Sequence, residues 1–305
     1  MNNYLIFIAG LTLLVTGGEI MIRGAVAISR RLGIPSIVIG ILIIGFGTST
    51  PELTASMLAV TSKLDAPGVA MGNVIGSNLA NILLIVGVSA AIAPISGIRI
   101  ARRDLIALLI SAAAVAAAVI LGNVSRILAA IMVLGMLIYI VCSAQPDSDG
   151  QDHQDRSCSI WRLSISIFMV IAGIAALLAG AHLMVTAAVK LAASFGVSDT
   201  IIGLTIVAIG TSLPELAASI IAAIHKESGL AVGNIIGSNI FNALLIPGAV
   251  ALVKPFKVSS DLAFPLILMI AATAALLAAL RSGRISRAGG AIMILTYAAY
   301  LIAIV

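Results

Sequence analysis

Long apolar segments, separated by short polar turns, follow one another along the whole chain. Crossing the apolar core of a bilayer takes about 20 residues of helix, and these segments approach or exceed that length. The apolar residues are continuous within each segment and do not alternate with polar ones, which favours helices over the strands of a β-barrel. We predict about ten transmembrane helices, at Tyr4–Ile28, Ser36–Thr61, Ala70–Ile92, Asp104–Leu121, Val124–Val141, Trp161–Val189, Asp199–Ile224, Leu230–Val253, Asp261–Leu280 and Arg287–Ile304.

The composition supports a membrane protein and excludes a soluble one. Of the 305 residues, 61% are hydrophobic and 10% are charged, and a soluble domain could not bury so much apolar surface. The net charge of +5 comes from Lys and Arg that flank the spans, so it indicates topology and not nucleic-acid binding. With the N-terminus outside, about eleven basic residues lie in inside loops and about five outside, which predicts a cell-membrane protein with both termini outside.

A polar segment at Gln145–Ser159 separates the first five predicted spans from the last five. Its acidic residues lack the glycine and terminal glutamate of a calcium-binding loop, so we interpret the segment as a cytoplasmic linker. Cys142 lies just before this segment and Cys158 lies near its end, and we expect two unpaired thiols there, with a regulatory disulfide as the alternative.

The two halves repeat each other in sequence. Gly33–Glu52 reads GIPSIVIGILIIGFGTSTPE and Gly196–Glu215 reads GVSDTIIGLTIVAIGTSLPE, with about nine of twenty positions identical. Gly72–Asn81 (GNVIGSNLAN) and Gly233–Asn242 (GNIIGSNIFN) share about seven of ten. Each half has an odd number of spans, so the second copy enters the membrane from the opposite side. We therefore predict an all-α polytopic membrane protein with two inverted five-helix repeats, 1–144 and 161–305, joined by the linker 145–160, as is typical of secondary transporters.

Glu52 and Glu215 fall at matched positions inside otherwise apolar spans. A lone ionised carboxylate at that depth is unfavourable by several kcal/mol, and such residues are usually functional. A glutamate that only packs is the alternative, but it gives no reason for the same residue to recur in both halves. We predict that both carboxylates belong to a functional site.

Each glutamate ends the motif G-T-S-x-P-E. The prolines, Pro51 and Pro214, cannot donate a backbone hydrogen bond and clash with the carbonyl one turn earlier, so we expect the helix to break there. Free carbonyls at membrane depth are tolerated where they line a cavity or bind an ion. The carbonyls that we expect to be free are those of Gly45, Thr48, Ala208 and Thr211.

Spans three and eight each carry Asn, Ser and Asn four residues apart, which places the three side chains on one helix face. Interhelical hydrogen bonding is the alternative role for such residues, and the glycines beside them are expected to allow close helix packing. We expect the serine and the second asparagine of each span to ligate or line an ion: Ser77, Asn81, Ser238 and Asn242.

The candidate ligands are all hard oxygen atoms, from carboxylates, amides, hydroxyls and carbonyls. Such ligands suit Ca²⁺ and Na⁺ and not the softer transition metals. Two carboxylates supply a charge of −2, which one Ca²⁺ or two Na⁺ would neutralise. Competition between Ca²⁺ and Na⁺ for the shared ligands would exchange one ion for the other. We expect no resident cofactor, and we expect Ca²⁺, Na⁺ and the lipid bilayer as the partners.

At these residues the sequence resembles the calcium/cation antiporter superfamily, specifically its prokaryotic sodium/calcium exchanger branch. The resemblance covers both motifs in both halves. It implies that spans two, three, seven and eight enclose the ions, and that spans one and six slide past them. It also implies that Glu52 and Glu215 bridge the calcium and sodium sites, and that Thr48 and Thr211 give backbone carbonyls to calcium. By the same resemblance, the sodium sites are lined by Ser49, Ser212, Ser77 and Ser238 and by the carbonyls of Gly45 and Ala208. Asn81 and Asn242 are implied to flank the centre.

The sequence departs from that branch at Asn242, where many members have Asp. An amide neither carries charge nor takes a proton near neutral pH. The difference bears on ion stoichiometry, proton sensitivity and potassium dependence.

The expected function is a secondary antiporter that exchanges Na⁺ for Ca²⁺ by alternating access. The alternatives are an H⁺/Ca²⁺ antiporter and a passive cation channel. An intramembrane aspartyl protease is excluded because the chain has neither an intramembrane Asp pair nor a G-x-G-D motif, so we expect no enzyme activity. Glu19 and His182, at equivalent positions of spans one and six, are expected to affect transport rate more than ion affinity, with hydrogen bonding inside their own spans as the alternative.

Overall fold

Apolar helices make up most of the fold. The computed structural model describes residues 2–61, 67–97, 100–144, 160–196 and 208–304. Within these ranges nine helical segments are long and apolar enough to cross a membrane, and they coincide with nine of the predicted spans. The seventh predicted span starts in 197–207, outside the described residues, and its described part ends in the apolar helix Leu213–Ile224. The linker Gln145–Ser159 also lies outside the described residues.

In the first half, spans two and three are each built from several helical pieces. Each contains a π-helical turn, at Gly40–Gly45 and at Ala80–Ile85, and such turns often occur at functional sites. The α-helices are α1 (Asn2–Leu32), α2 (Ser36–Ile39), α3 (Phe46–Thr48), α4 (Thr50–Thr61), α5 (Pro67–Leu79), α6 (Val86–Ile92), α7 (Arg102–Ile120) and α8 (Arg126–Ala144).

In the second half, span eight is one continuous helix that contains Pro247, whereas the described part of span seven is again divided. A short 3₁₀ turn at Ser260–Leu262 precedes span nine. The α-helices are α9 (Ile160–Ser194), α10 (Ala208–Thr211), α11 (Leu213–Ile224), α12 (Ser228–Val253), α13 (Ala263–Arg281) and α14 (Arg287–Ile304).

Two short antiparallel ladders join loops of the two halves. Strand β1 (Ile95–Ser96) pairs with β4 (Arg284–Ile285), and β2 (Asn123–Val124) pairs with β3 (Phe256–Lys257). These strands were not predicted, because two extended residues in a loop leave no pattern in the sequence. The ladders supply partners for backbone groups that would otherwise be unpaired where helices end.

The two halves interleave and do not form separate bodies. Helix α1 runs antiparallel to α9, with Gly10 against Gly180 and Gly17 against Gly173. Span two packs on α12 in the same backbone-to-backbone manner, and a Cβ at Gly237 would overlap the carbonyl of Ile41. The expected packing role of the glycines is therefore confirmed at Gly237 of α12, but it is wrong at Gly76 of α5, where a Cβ would meet no described atom within 4 Å.

Buried residues form two apolar clusters and a separate polar set. The larger cluster contains Met71 and Phe241, and the smaller one, around α1 and α9, contains Met21 and Leu177. Buried polar residues are concentrated on spans two, three, seven and eight: Thr48, Ser49, Glu52, Ser56, Ser77, Asn78, Asn81, Ser89, Ser212, Glu215, Ser219, Asn234, Ser238, Asn239 and Asn242.

Candidate ion-binding site

Both G-T-S-x-P-E motifs break their helix at the serine. Ser49, between α3 and α4, has φ −82° and ψ 7°, and Ser212, between α10 and α11, has φ −90° and ψ 6°. These values lie outside the α-helical range. The helix restarts with Pro51 or Pro214 in its first turn, where the missing N–H leaves no gap in the ladder. The predicted helix break is confirmed in both halves.

The carbonyl groups near the break differ from the expectation in one respect. The carbonyl of Gly45 is not free, because it accepts the N–H of Ser49 at 3.2 Å and the hydroxyl of Ser238 at 3.3 Å. Pro51 instead removes the donor of the carbonyl four residues before it, that of Gly47. Thr50 Oγ1 donates to that carbonyl at 3.0 Å.

The second motif bonds differently around its own break. The N–H of Ser212 bonds to the carbonyl of Ile209 at 3.1 Å, three residues back and not four. Of Ala208 the structure describes only the backbone, at the start of α10.

The two glutamates are buried, each with 1% of its surface exposed. Ser49 Oγ donates to Glu215 Oε1 at 3.1 Å, so a residue of the first half contacts the carboxylate of the second. Neither carboxylate oxygen of Glu52, nor Oε2 of Glu215, has a hydrogen-bond partner within the described part of the chain. Buried acceptors without donors are strongly unfavourable, so these oxygens fit a site that binds a cation.

Two asparagines hold the backbone at the glutamates. Asn73 Nδ2 donates to the carbonyl oxygen of Glu52 at 3.1 Å and to Ser56 Oγ at 2.9 Å. The second half repeats both bonds, with Asn234 Nδ2 at 3.2 Å from the carbonyl oxygen of Glu215 and at 2.9 Å from Ser219 Oγ. These matched bonds tie span three to span two and span eight to span seven.

Ser56 and Ser219 were not predicted from the sequence. Each lies four residues after its glutamate, in ELTAS and ELAAS, and the matched spacing was visible in the repeat alignment. Asn73 and Asn234 had been placed on the polar face without a role of their own. Their hydrogen bonds make them supports of the glutamates.

Asn81 and Asn242 are buried, with 1% and 0% of their surfaces exposed. None of their four amide atoms has a hydrogen-bond partner in the described ranges, and the same holds for Ser212 Oγ. Unpartnered amides in an apolar interior are unfavourable, and they are typical of side chains that bind a ligand. Among the predicted serines, Ser77 lies 3.4 Å from Asn73 Oδ1.

The two threonines of the motifs have different surroundings. Thr48 is fully buried, and its Oγ1 lies 3.0 Å from the carbonyl of Ile44 and 3.3 Å from Asn234 Oδ1. Thr211 is partly exposed and lines a cavity of about 260 Å³. The cavity is bounded by Pro51, Leu178, Ala181, His182, Val185, Gly210, Thr211 and Pro214.

Apolar membrane-spanning helices around two matched, buried carboxylates define a polytopic α-helical membrane transporter. The family model for "sodium/calcium exchanger protein" matches residues 2–145 and 165–305, and the chain belongs to this family. The predicted family and the all-α polytopic fold are therefore confirmed.

Relatives and solved structures resemble the chain over nearly its whole length. Sodium/calcium exchanger MaX1 of Methanosarcina acetivorans is 33% identical, over 98% of this chain and 97% of that protein. Inner membrane protein YrbG of Escherichia coli is 33% identical, over 83% of this chain and 80% of its own. A structure of the sodium-calcium exchanger NCX_Mj, soaked with zero Na⁺ and Ca²⁺, superposes with a TM-score of 0.83 at 30% identity and covers 99% of both chains.

Proposed function

We propose that this protein is a secondary antiporter that exchanges Na⁺ for Ca²⁺ across the membrane by alternating access. The observation that carries the proposal is the pair Glu52 and Glu215, buried at matched positions with three of their four carboxylate oxygens lacking a donor among the described residues. The exchanger names of MaX1 and NCX_Mj support this choice of ions. We propose transport without chemical conversion of a substrate.

The charge of the site fits exchange by competition. Two carboxylates balance one Ca²⁺ or two Na⁺, and both ions accept flexible sets of oxygen ligands. Glu52 and Glu215 would bridge the sites, and Asn81 and Asn242 would flank the centre as neutral ligands. The remaining proposed ligands are the carbonyls of Thr48, Thr211 and Ala208 and the hydroxyls of Ser49, Ser77, Ser212 and Ser238. The carbonyl of Gly45 is left out because it already accepts two hydrogen bonds.

We also propose that residues 1–144 and 161–305 are inverted repeats joined by a cytoplasmic linker at 145–160. The matched bonds from Asn73 and Asn234 and the reciprocal contacts of α1 and α9 support a two-fold relation between the halves. The distribution of Lys and Arg supports a cell-membrane protein with both termini outside.

Uptake of ⁴⁵Ca²⁺ into liposomes loaded with sodium tests the function. We expect uptake to follow the outward sodium gradient and to stop when internal sodium is replaced by choline. Uptake driven equally well by a proton gradient without sodium would replace this proposal with H⁺/Ca²⁺ exchange. Calcium flux that needs no counter-ion would instead indicate a channel.

A further inference from the structure

Glu19 of α1 bridges two basic side chains. Its Oε2 lies 2.6 Å from His225 Nε2, and its Oε1 lies 2.6 Å from Arg23 Nε. Arg23 is one turn further along the same helix, whereas His225 directly follows α11. The pair Glu19–His225 therefore joins span one to the end of the span that carries Glu215. A role for Glu19 was predicted from the sequence, whereas none was predicted for His225.

The turn after α11 presents two side chains to α1. Lys226 has φ 60°, a left-handed conformation that is uncommon outside glycine, and its N–H bonds to the carbonyl of Ala223 at 3.0 Å. On either side of it, His225 contacts Glu19 and Glu227 Oε1 lies 3.9 Å from Arg30 Nη2. Glu19 and Arg30 are about 16 Å apart along the helix. The turn is thus held against α1 at two separate points.

The matched position of the second half has different surroundings. His182 of α9 is equivalent to Glu19, and it lines the 260 Å³ cavity together with Thr211 and Pro214. Because α1 and α9 are antiparallel, Glu19 and His182 lie toward opposite surfaces of the membrane. Beside Glu19, a Cβ at Gly18 would overlap Ile221 of α11, so α1 is packed directly onto α11. Helix α1 is thus packed against α11 beside Glu19, whereas a cavity lies beside His182.

We infer that Glu19 and His225 form a latch that holds α1 closed against α11, and that acidification tightens this latch. Access from the Glu19 side requires α1 to separate from α11, and the ion pair must then break. A hydrogen bond between two charged groups is stronger than one with a neutral donor, and histidine changes charge between about pH 5 and 8. Acidification in that range therefore favours the closed state of this side. The expected shift is about two- to fivefold, because the side chains are 30% and 40% exposed.

Other charged groups near this end act on the same pair. Arg23 contacts Glu19 directly, and further basic residues occur at the ends of the neighbouring helices. They are Arg30 and Arg31 on α1, Arg162 at the start of α9, and Lys226 beside His225, with Glu227 as the opposing anion. Among the described contacts of Glu19, the one with His225 comes from another helix, so His225 is the group whose replacement tests the link between α1 and the turn after α11.

Thiol labelling of the cavity tests the latch without relying on transport. In a background with Cys142→Ser and Cys158→Ser, the variant Leu178→Cys places a thiol on the cavity wall. Its labelling rate by a charged maleimide is measured on detergent-solubilised protein in buffer without Na⁺ and Ca²⁺, from about pH 5.5 to 8. The same measurement with His225→Gln added cancels the intrinsic pH dependence of the thiol. We expect the labelling rate of Leu178→Cys, divided by the rate of the variant that also carries His225→Gln, to rise about two- to fivefold on acidification. A ratio that does not change with pH would overturn the latch.

Two further variants sharpen the result. Glu19→Gln removes the charge on the other side of the pair and should abolish the pH dependence of the labelling ratio. This variant also tests the latch if His225→Gln fails to fold. His153→Gln removes a histidine from the central polar segment and should keep the original profile.

The transport consequence rests on the proposed function and is measured separately. Sodium-driven calcium uptake should lose part of its inhibition by acid in His225→Gln and keep it in His153→Gln. A pH-dependent labelling ratio without sodium-driven uptake would retain the latch and reject the exchange. Normal uptake with a constant labelling ratio would reject the latch alone.

Discussion

Ser49 of the first half donates a 3.1 Å hydrogen bond to Glu215 of the second half, across 166 positions of sequence. In the same region Thr48 Oγ1 lies 3.3 Å from Asn234 Oδ1, across 186 positions. The first repeat therefore supplies part of the surroundings of the glutamate of the second repeat. The proposed ion site is a property of the assembled pair of repeats.

Replacing either buried glutamate by its amide should abolish exchange and leave the fold intact. Glutamine keeps the shape but removes a charge that offsets the dehydration of Ca²⁺. Sodium-dependent ⁴⁵Ca²⁺ uptake should fall to background for Glu52→Gln and Glu215→Gln, with unchanged elution on size exclusion. Asp149→Asn, in the central polar segment, is the matched control. Uptake close to that of the unaltered protein in either variant would remove that glutamate from the site.

The two motif serines should differ in their effect on stability in ion-free buffer. Ser49→Ala removes the donor to Glu215 and leaves one more buried carboxylate oxygen unpaired, which destabilises by about 1–3 kcal/mol. Ser212 Oγ makes no regular hydrogen bond among the described residues and has only a weaker interaction with Glu52, so Ser212→Ala should lower the melting temperature less than Ser49→Ala does. Thermal unfolding of both variants without Na⁺ or Ca²⁺ compares them. Equal losses would mean that the Ser49 bond contributes nothing of its own.

The supporting asparagines should be equivalent in the two halves. Asn73→Ala and Asn234→Ala each remove two donated hydrogen bonds, one to the backbone of a glutamate and one to a serine. Each also removes an accepted hydrogen bond, from Ser77 to Asn73 Oδ1 or from Thr48 to Asn234 Oδ1. Each loss should destabilise by about 1–3 kcal/mol and weaken calcium binding, because the neighbouring glutamate loses its support. Chemical denaturation and a calcium titration of uptake measure the two effects. A calcium dependence unchanged in both variants would show that the asparagines are not positioning residues.

Close packing of span two on α12 should make Gly237 intolerant of a side chain. A Cβ there overlaps the backbone of Ile41, so Gly237→Ala should destabilise by about 1–3 kcal/mol. Gly135→Ala is the control, because its Cβ would lie 4.0 Å from Leu244 Cδ1 and the change improves helix propensity by up to about 1 kcal/mol. The melting temperature of Gly237→Ala should lie below that of the unaltered protein, and the melting temperature of Gly135→Ala should equal or exceed it. The reverse order would contradict this packing.

Neutralising the acidic residues of the central polar segment should have little effect on transport. The segment is interpreted as a linker, and its aspartates lack the spacing of a calcium-binding loop. The calcium dependence of uptake is measured for the variant in which Asp147, Asp149, Asp152 and Asp155 are all changed to Asn. A large change in calcium activation would identify the segment as a sensor.

Much of the fold follows from two local features of the sequence. The lengths of the apolar segments predicted the spans that the structure describes, and the prolines of the motifs predicted the breaks at Ser49 and Ser212. Both effects act within a few residues, because helix length and the missing proline N–H depend on the local chain. The ladders β1–β4 and β2–β3 escaped prediction because each forms only where distant loops meet.

The sequence predicted which residues form the candidate site better than it predicted their hydrogen bonds. The repeat gave Glu52 and Glu215 as matched residues, but it also predicted a free carbonyl at Gly45, where Ser238 donates at 3.3 Å. Local geometry identifies which backbone group loses a helical partner, but not which side chain of another helix approaches it.

By itself the sequence determined the apolar spans, the duplication and the recurrence of one carboxylate in each half. Only the tertiary structure decided that Glu19 pairs with His225, 206 positions away, while its equivalent His182 lines a cavity. The repeat relates equivalent positions and predicts equal surroundings for them. An alternating transporter must leave the two sides of its site unequal in any one conformation, so the packing of α1 and α9 against the other helices sets that difference.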